Sequence, residues 1–149
     1  MVYILEGTHG VGKTERSTTF GVPVANIRND TRARNITQVT SLLNSYINID
    51  AVFDRFFMLS FPGEDHDKRV SQCIAINNYL KTRSDVTCIL YICDREVAWQ
   101  RYQNTEHPIE RRVDRAGFDA AYNWYQEIIP YMDAFQIIDT TNASSHHSG

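Results

Sequence analysis

The residues with the clearest chemical signature are Gly7, Gly12, Lys13 and Thr14, in the stretch GTHGVGKT directly after the apolar run Val2-Tyr3-Ile4-Leu5. Their spacing fits G-x-x-x-x-G-K-[ST], a loop whose backbone N–H groups turn inward around an oxyanion. Glycines permit the dihedrals such a turn needs. A helix starting at the loop adds the positive end of its dipole. Lys13 would reach the outer phosphates, and Thr14 would place its hydroxyl on Mg2+. The segment Gly7, Thr8, His9, Gly10, Val11, Gly12, Lys13 and Thr14 is therefore expected to hold a nucleoside triphosphate, ATP, with Mg2+. The motif does not specify Glu6 or His9. Both read as local tuning, with His9 exposed.

The stretch AVFDRFFMLS brings Asp54 and Arg55 to the end of another apolar run. A carboxylate there holds Mg2+ directly or through water, and a guanidinium clamps phosphate oxygens as charge shifts between them. Alone, the two would be an ordinary surface ion pair. A phosphate loop one strand away favours the catalytic reading, with Asp54 a second Mg2+ ligand beside Thr14.

In IRNDTRARN, Arg28, Arg32 and Arg34 surround Asp30. This is either a solvated polar loop or the site of a phosphate acceptor. A nucleoside monophosphate brings its own nucleophilic oxygen and needs cations. A nucleoside hydroxyl is a poor nucleophile and is helped by a carboxylate base. Arginines outnumber acids here, which tilts the reading towards a phosphorylated acceptor, while Asp30 keeps the hydroxyl open. Phe56 or Phe57 would stack on the acceptor base. Further on, Arg111, Arg112 and Arg115 cluster in a stretch interrupted by Pro108. They suit either a basic lid over about 103–116 that excludes water, or a solvated cluster balanced by Glu106, Glu110 and Asp114.

The elements that must position these residues alternate. VYIL reads as a buried strand, Lys13 to about Phe20 as a helix stopped by Gly21 and Pro23, and PVANI as a second strand. Ile36, Val39, Leu42, Leu43 and Ile47 carry helical spacing. DAVFD is a strand, VSQCIAINNYL a helix, and VTCILYI the longest apolar run and the best central strand. REVAWQRYQ and GFDAAYNWYQEIIPYM read as helices, and FQIID as the fifth strand. Strand–helix alternation implies an α/β fold of three layers, a five-stranded parallel sheet with helices on both faces. Ligands of such sheets sit at the carboxyl ends of the strands. The turns after Leu5 and Ile27, the pair Asp54-Arg55, and Cys93-Asp94-Arg95 then share one rim.

The chain has 149 residues and suits one domain, 1–142, with a small polar tail at 143–149 expected to be poorly ordered. A net charge of −3 gives no global pull towards nucleic acid or anionic membrane. Cys73, Cys88 and Cys93 make an odd count without metal-ligand spacing, which suits reduced thiols in a cytoplasmic protein. No signal peptide or membrane-length apolar run is evident.

Taken in order, the phosphate loop, FDRF, LYICDREVAWQR, the arginine-rich stretch, FDAAYNWY and IIDT resemble the thymidylate kinase and deoxynucleoside kinase group of P-loop kinases, over nearly the whole chain from Val2 to Thr140. DRF at Asp54 to Phe56 looks like the DRY of thymidylate kinases. REVAWQR, with Arg101, looks like the helix leading into the lid, and IIDT like the last strand, whose following loop borders adenine. The resemblance implies Mg2+-ATP as donor, Arg55 on the acceptor phosphate, Arg111 or Arg112 on the donor phosphates, and Arg101 on the cofactor side. Where thymidylate kinases carry Arg-Glu-Pro, this chain has Arg28-Asn29-Asp30, which leaves the base open. The compact size suits a phage or viral enzyme.

The expected activity is ATP-dependent transfer to a (deoxy)nucleoside monophosphate. The alternatives are a kinase of a hydroxyl, on a deoxynucleoside or the 5′ end of a polynucleotide, and a non-enzymatic nucleotide-binding module. No Asn-Lys-x-Asp guanine reader appears, so the module ranks last. A homodimer stays open.

Overall fold

A computed structural model describes residues 1–7, 24–25, 36–46, 50–54, 57, 65–104 and 113–142. Its strands are β1 (Val2–Glu6), β2 (Val24–Ala25), β3 (Ala51–Asp54), β4 (Val86–Ile92) and β5 (Phe135–Asp139). All pair in parallel, in the order β2-β3-β1-β4-β5. β1 is therefore central, and β4 lies between it and β5. From β3 the chain passes over β1 to β4, so the order reverses at β1. A crevice at the carboxyl end of such a switch point is where open α/β sheets receive ligands.

The helices are α1 (Ile36–Ser45), α2 (His66–Leu80), α3 (Arg95–Asn104) and α4 (Arg115–Ile128), the last continued by a 3-10 turn at Ile129–Tyr131. Alternation along the strands divides the core in two. Val2 and Ile4 of β1, with Cys88 and Leu90 of β4, pack against Val39 and Leu43 of α1, Cys73, Ile76 and Leu80 of α2, and Trp124, Tyr125 and Ile128 of α4. Leu5, Ile89 and Tyr91 face the other way, against Ala98 and Tyr102 of α3 and Phe118 of α4. Helices thus cover both faces, as the strand–helix alternation predicts. Among the described residues no helix is long and apolar enough to cross a membrane.

Caps set several helix starts. Asp65 accepts from Lys68 N at 3.4 Å and opens α2. Asp114 accepts from Gly117 N at 2.8 Å and opens α4. Asp94 accepts from Glu96 N at 3.1 Å and Val97 N at 3.2 Å, at the start of α3. Each satisfies an N–H group that the first helical turn leaves without an intrahelical partner. Asn77, buried on α2, donates to Asp133 Oδ1 at 2.7 Å and accepts from Ala134 N at 3.0 Å, fixing the turn before β5.

The three cysteines are free and buried. Burial pushes the Cys73 and Cys88 thiols up to about 12, and the charge of Glu6 adds to the effect. The native state therefore keeps protons that an unfolded chain releases above about 9. Their contribution is fully present below that value and is lost as pH rises from about 9 to about 12. The urea midpoint is expected to fall as pH is raised from 8 to 10.5, and to fall less steeply in a Cys73→Ala/Cys88→Ala variant, measured by fluorescence. An equal slope in both proteins would refute this account.

Candidate active site

The rim of the sheet is assembled by the strand ends. Glu6 ends β1, followed by Gly7 at φ 150°, a conformation L side chains rarely adopt. Gly7 is buried. The first residue of GTHGVGKT thus leaves the central strand in a backbone conformation that favours glycine. Asp54 ends β3 with its Cα in register with Leu5, one position before Glu6. On the other side, Ile92 of β4 is in register with Asp139 of β5. Thr8, His9, Gly10, Val11, Gly12, Lys13 and Thr14 lie outside the described residues, as do Arg28, Asp30, Arg32, Arg34, Arg55, Phe56, Arg111 and Arg112.

Several rim candidates serve the framework. Cys93 is buried, and its backbone oxygen accepts from Tyr122 Oη at 2.7 Å. Asp94 caps α3. Arg95 donates to Asp119 at 3.1 Å and Asn123 at 2.5 Å, and lies 4.5 Å from the Tyr122 ring centroid. Arg101 donates to the backbone oxygens of Thr140 at 2.9 Å and Thr141 at 3.1 Å. It thereby ties α3 to the turn after β5. Phe57 corrects the stacking expectation: its ring is fully buried, 6.0 Å from that of Phe135, and belongs to the core.

The stems of the expected lid are closed by hydrogen bonds. Val113 N donates to Tyr102 Oη at 2.8 Å. Arg115 pairs with Glu96 and, at 3.1 Å, with Asp119. Its guanidinium holds the Glu96 carboxyl below the usual range. Residues 105–112, between α3 and α4, lie outside the described residues.

The sequence reading gave Glu6 no role beyond local tuning. It is fully buried, and its carboxylate accepts from Phe57 N at 2.8 Å (Oε2) and from Tyr125 Oη at 3.0 Å (Oε1). A signal was available: Glu6 shares parity with Val2 and Ile4, so it must face the core that they face.

For Mg2+, the chemistry of the set fits: Asp54 closes the strand beside β1, abreast of the origin of the loop that carries Thr14. Among the described residues no group of three or more His, Cys, Asp or Glu is placed to hold a metal ion by itself.

No model of a protein family matches the chain, and no curated protein is similar enough to pair with it. Solved structures do match. Deoxyadenosine kinase from M. mycoides with bound dATP superposes with a TM-score of 0.57 at 14% identity, over 99% of this chain and 94% of that one. The same kinase with bound dCTP gives 0.55 at 13%, and with products dCMP and a flexible dCDP gives 0.54 at 12%, with the same coverage. The chain shares the fold of that deoxyadenosine kinase. At these identities the likeness carries the fold alone, over nearly the full length of both chains.

Proposed function

We propose that this chain is a Mg2+- and ATP-dependent kinase that transfers the γ-phosphoryl group of ATP to a hydroxyl of a deoxynucleoside. The observation that carries the reading is the exit of GTHGVGKT from the end of central β1, at the switch point of the sheet, through buried Gly7. A glycine-favouring conformation at that strand end suits a loop that receives a polyphosphate. The fold shared with a deoxyadenosine kinase solved with dATP, with dCTP and with the products dCMP and dCDP favours a deoxynucleoside as acceptor.

In this reading the loop amides and Lys13 bind the triphosphate, and Thr14 and Asp54 hold Mg2+. Bound Mg2+ would neutralise charge growing on the β- and γ-phosphate oxygens. Asp30 takes the proton of the acceptor hydroxyl as its oxygen bonds to the γ-phosphorus and the bond to the β-phosphate oxygen breaks. Arg55, Arg111 and Arg112 stabilise charge on the transferring group. Phe56 stacks on the acceptor base. The second reading, a monophosphate acceptor, is favoured by Arg28, Arg32 and Arg34 around Asp30, which suit an acceptor that already carries phosphate.

The test is transfer from γ-labelled ATP to a panel of nucleosides, their monophosphates and a 5′-hydroxyl oligonucleotide. Label on deoxynucleosides is expected. Label only on monophosphates would move the assignment to the second reading, and label on no acceptor would remove the kinase reading.

A further inference from the structure

Glu6 is a full carboxylate at the end of an apolar strand, with no exposure to solvent. Burying such a group is unfavourable unless hydrogen bonds hold it. Among the described residues two donors reach it, both from far along the chain. Phe57 is 51 residues away and follows Asp54-Arg55 and Phe56 beyond β3. Tyr125 is 119 residues away, on α4. Both contacts fall on the face of β1 that α1 and α2 cover, and Phe57 and Tyr125 lie in the same core cluster. One side chain therefore joins three segments: the strand that becomes the phosphate loop, the chain leaving β3, and the helix that follows the expected lid.

We infer that Glu6 is a positioning residue, which fixes the origin of the phosphate loop at Gly7 relative to the Asp54-Arg55 segment by holding Phe57 N and Tyr125 Oη. This rests on the kinase reading above. Donor and acceptor sides must meet within a fraction of an ångström, and a misplacement of about 1 Å costs on the order of 100-fold in rate. Hydrogen bonds are directional, and two of them to one buried side chain suit it to set a spacing. The carboxylate touches no reacting atom in this account.

The account separates variants that a proton-transfer role would not. In Glu6→Gln the amide oxygen can still accept from Phe57 N, and the amide N–H can donate to the Tyr125 hydroxyl oxygen. Glu6→Ala removes both partners. Tyr125→Phe removes one hydroxyl and keeps the ring.

The experiment measures kcat and KM for ATP with the best acceptor of the panel. Rates are expressed per ATP site titrated by calorimetry, so that an unfolded fraction does not count. Glu6→Ala is expected to lower kcat about 100-fold with KM for ATP within about threefold. Glu6→Gln is expected to recover all but about fivefold, with the wild-type pH profile. Tyr125→Phe is expected to lower kcat about fivefold at unchanged KM. If Glu6→Ala does not fold, Glu6→Gln and Tyr125→Phe decide the matter. Wild-type kcat in either Glu6→Ala or Tyr125→Phe would overturn the inference. So would a Glu6→Gln protein that folds, binds ATP and loses as much kcat as Glu6→Ala, with the acid limb gone from the rate that remains, since the carboxylate would then be moving a proton. Absence of transfer by the wild-type protein sinks the kinase reading and this inference together. Transfer by the wild type that Glu6→Ala leaves undiminished sinks the inference alone.

Discussion

Lys13→Ala is expected to lower phosphoryl transfer by at least about 100-fold to 1,000-fold in kcat, with the thermal midpoint close to that of the wild type. The magnitude follows from the job assigned to the ammonium group. In the proposed mechanism backbone amides of the loop carry partial charges, whereas Lys13 would supply a full one against oxygens whose negative charge moves during transfer. Removing one preorganised donor from such a site typically costs that much. KM for ATP should rise less than kcat falls, because the amides keep most of the ground-state binding. Lys13→Arg should restore binding better than rate: a planar guanidinium carries the charge but not the compact reach of an ammonium. Stability should be nearly untouched, since the two core clusters are built from apolar side chains of the strands and helices. The check is steady-state kinetics with a melting curve for each protein. A Lys13→Ala enzyme that kept more than a tenth of wild-type kcat would remove the phosphate loop from the mechanism.

How much of this architecture the sequence reveals depends on how far apart the interacting residues lie. VTCILYI and FQIID read as strands over the ranges they occupy in the fold, Val86–Ile92 and Phe135–Asp139, because continuous apolar runs bounded by turn residues suit few other structures. Helix ends are less legible. The apolar pattern of α2 starts at Val70, yet the helix starts at His66, since the Asp65 cap needs no apolar residue to act. The expected helix through Met132 ends earlier. Pro130 has no N–H to offer, and the last turn tightens to a 3-10 form at Ile129–Tyr131. Arginines illustrate a second limit. Charge pattern marks Arg101 and Arg115 as site candidates as readily as Arg111 and Arg112, but does not reveal which guanidiniums close the frame. Arg101 holds the backbone at Thr140 and Thr141, and Arg115 bridges α3 and α4. Glu6 marks a third. Its burial follows from strand parity, but the described partners Phe57 and Tyr125 lie 51 and 119 residues on, and no local pattern joins them.

Asp30→Asn decides between the two acceptor classes, and on a hydroxyl its effect is expected to be at least as large as that of Lys13→Ala. If the acceptor is a hydroxyl, its proton must leave as the new bond to phosphorus forms, and a carboxylate positioned as base contributes about 100-fold to 10,000-fold. Asparagine is nearly isosteric and keeps an acceptor oxygen, so the acceptor should still bind. It cannot take the proton. The expected result on a deoxynucleoside is a fall of that size in kcat, little change in KM, and loss of the acid limb of the pH profile, since no carboxylate remains to be protonated. A monophosphate acceptor behaves differently. Its phosphate oxygen is already an anion, and Asp30 beside Arg28, Arg32 and Arg34 would serve only to balance charge. Asp30→Asn would then cost less than about tenfold, while removing any of the three arginines would raise KM for the acceptor. Measuring both substitutions on both acceptors gives a pattern that a general loss of folding cannot imitate, because misfolding lowers every rate by the same factor. A large loss on the hydroxyl alone supports the deoxynucleoside assignment. A small loss on the hydroxyl, with KM for the monophosphate raised by Arg28→Ala or Arg32→Ala, would transfer the assignment to a monophosphate kinase.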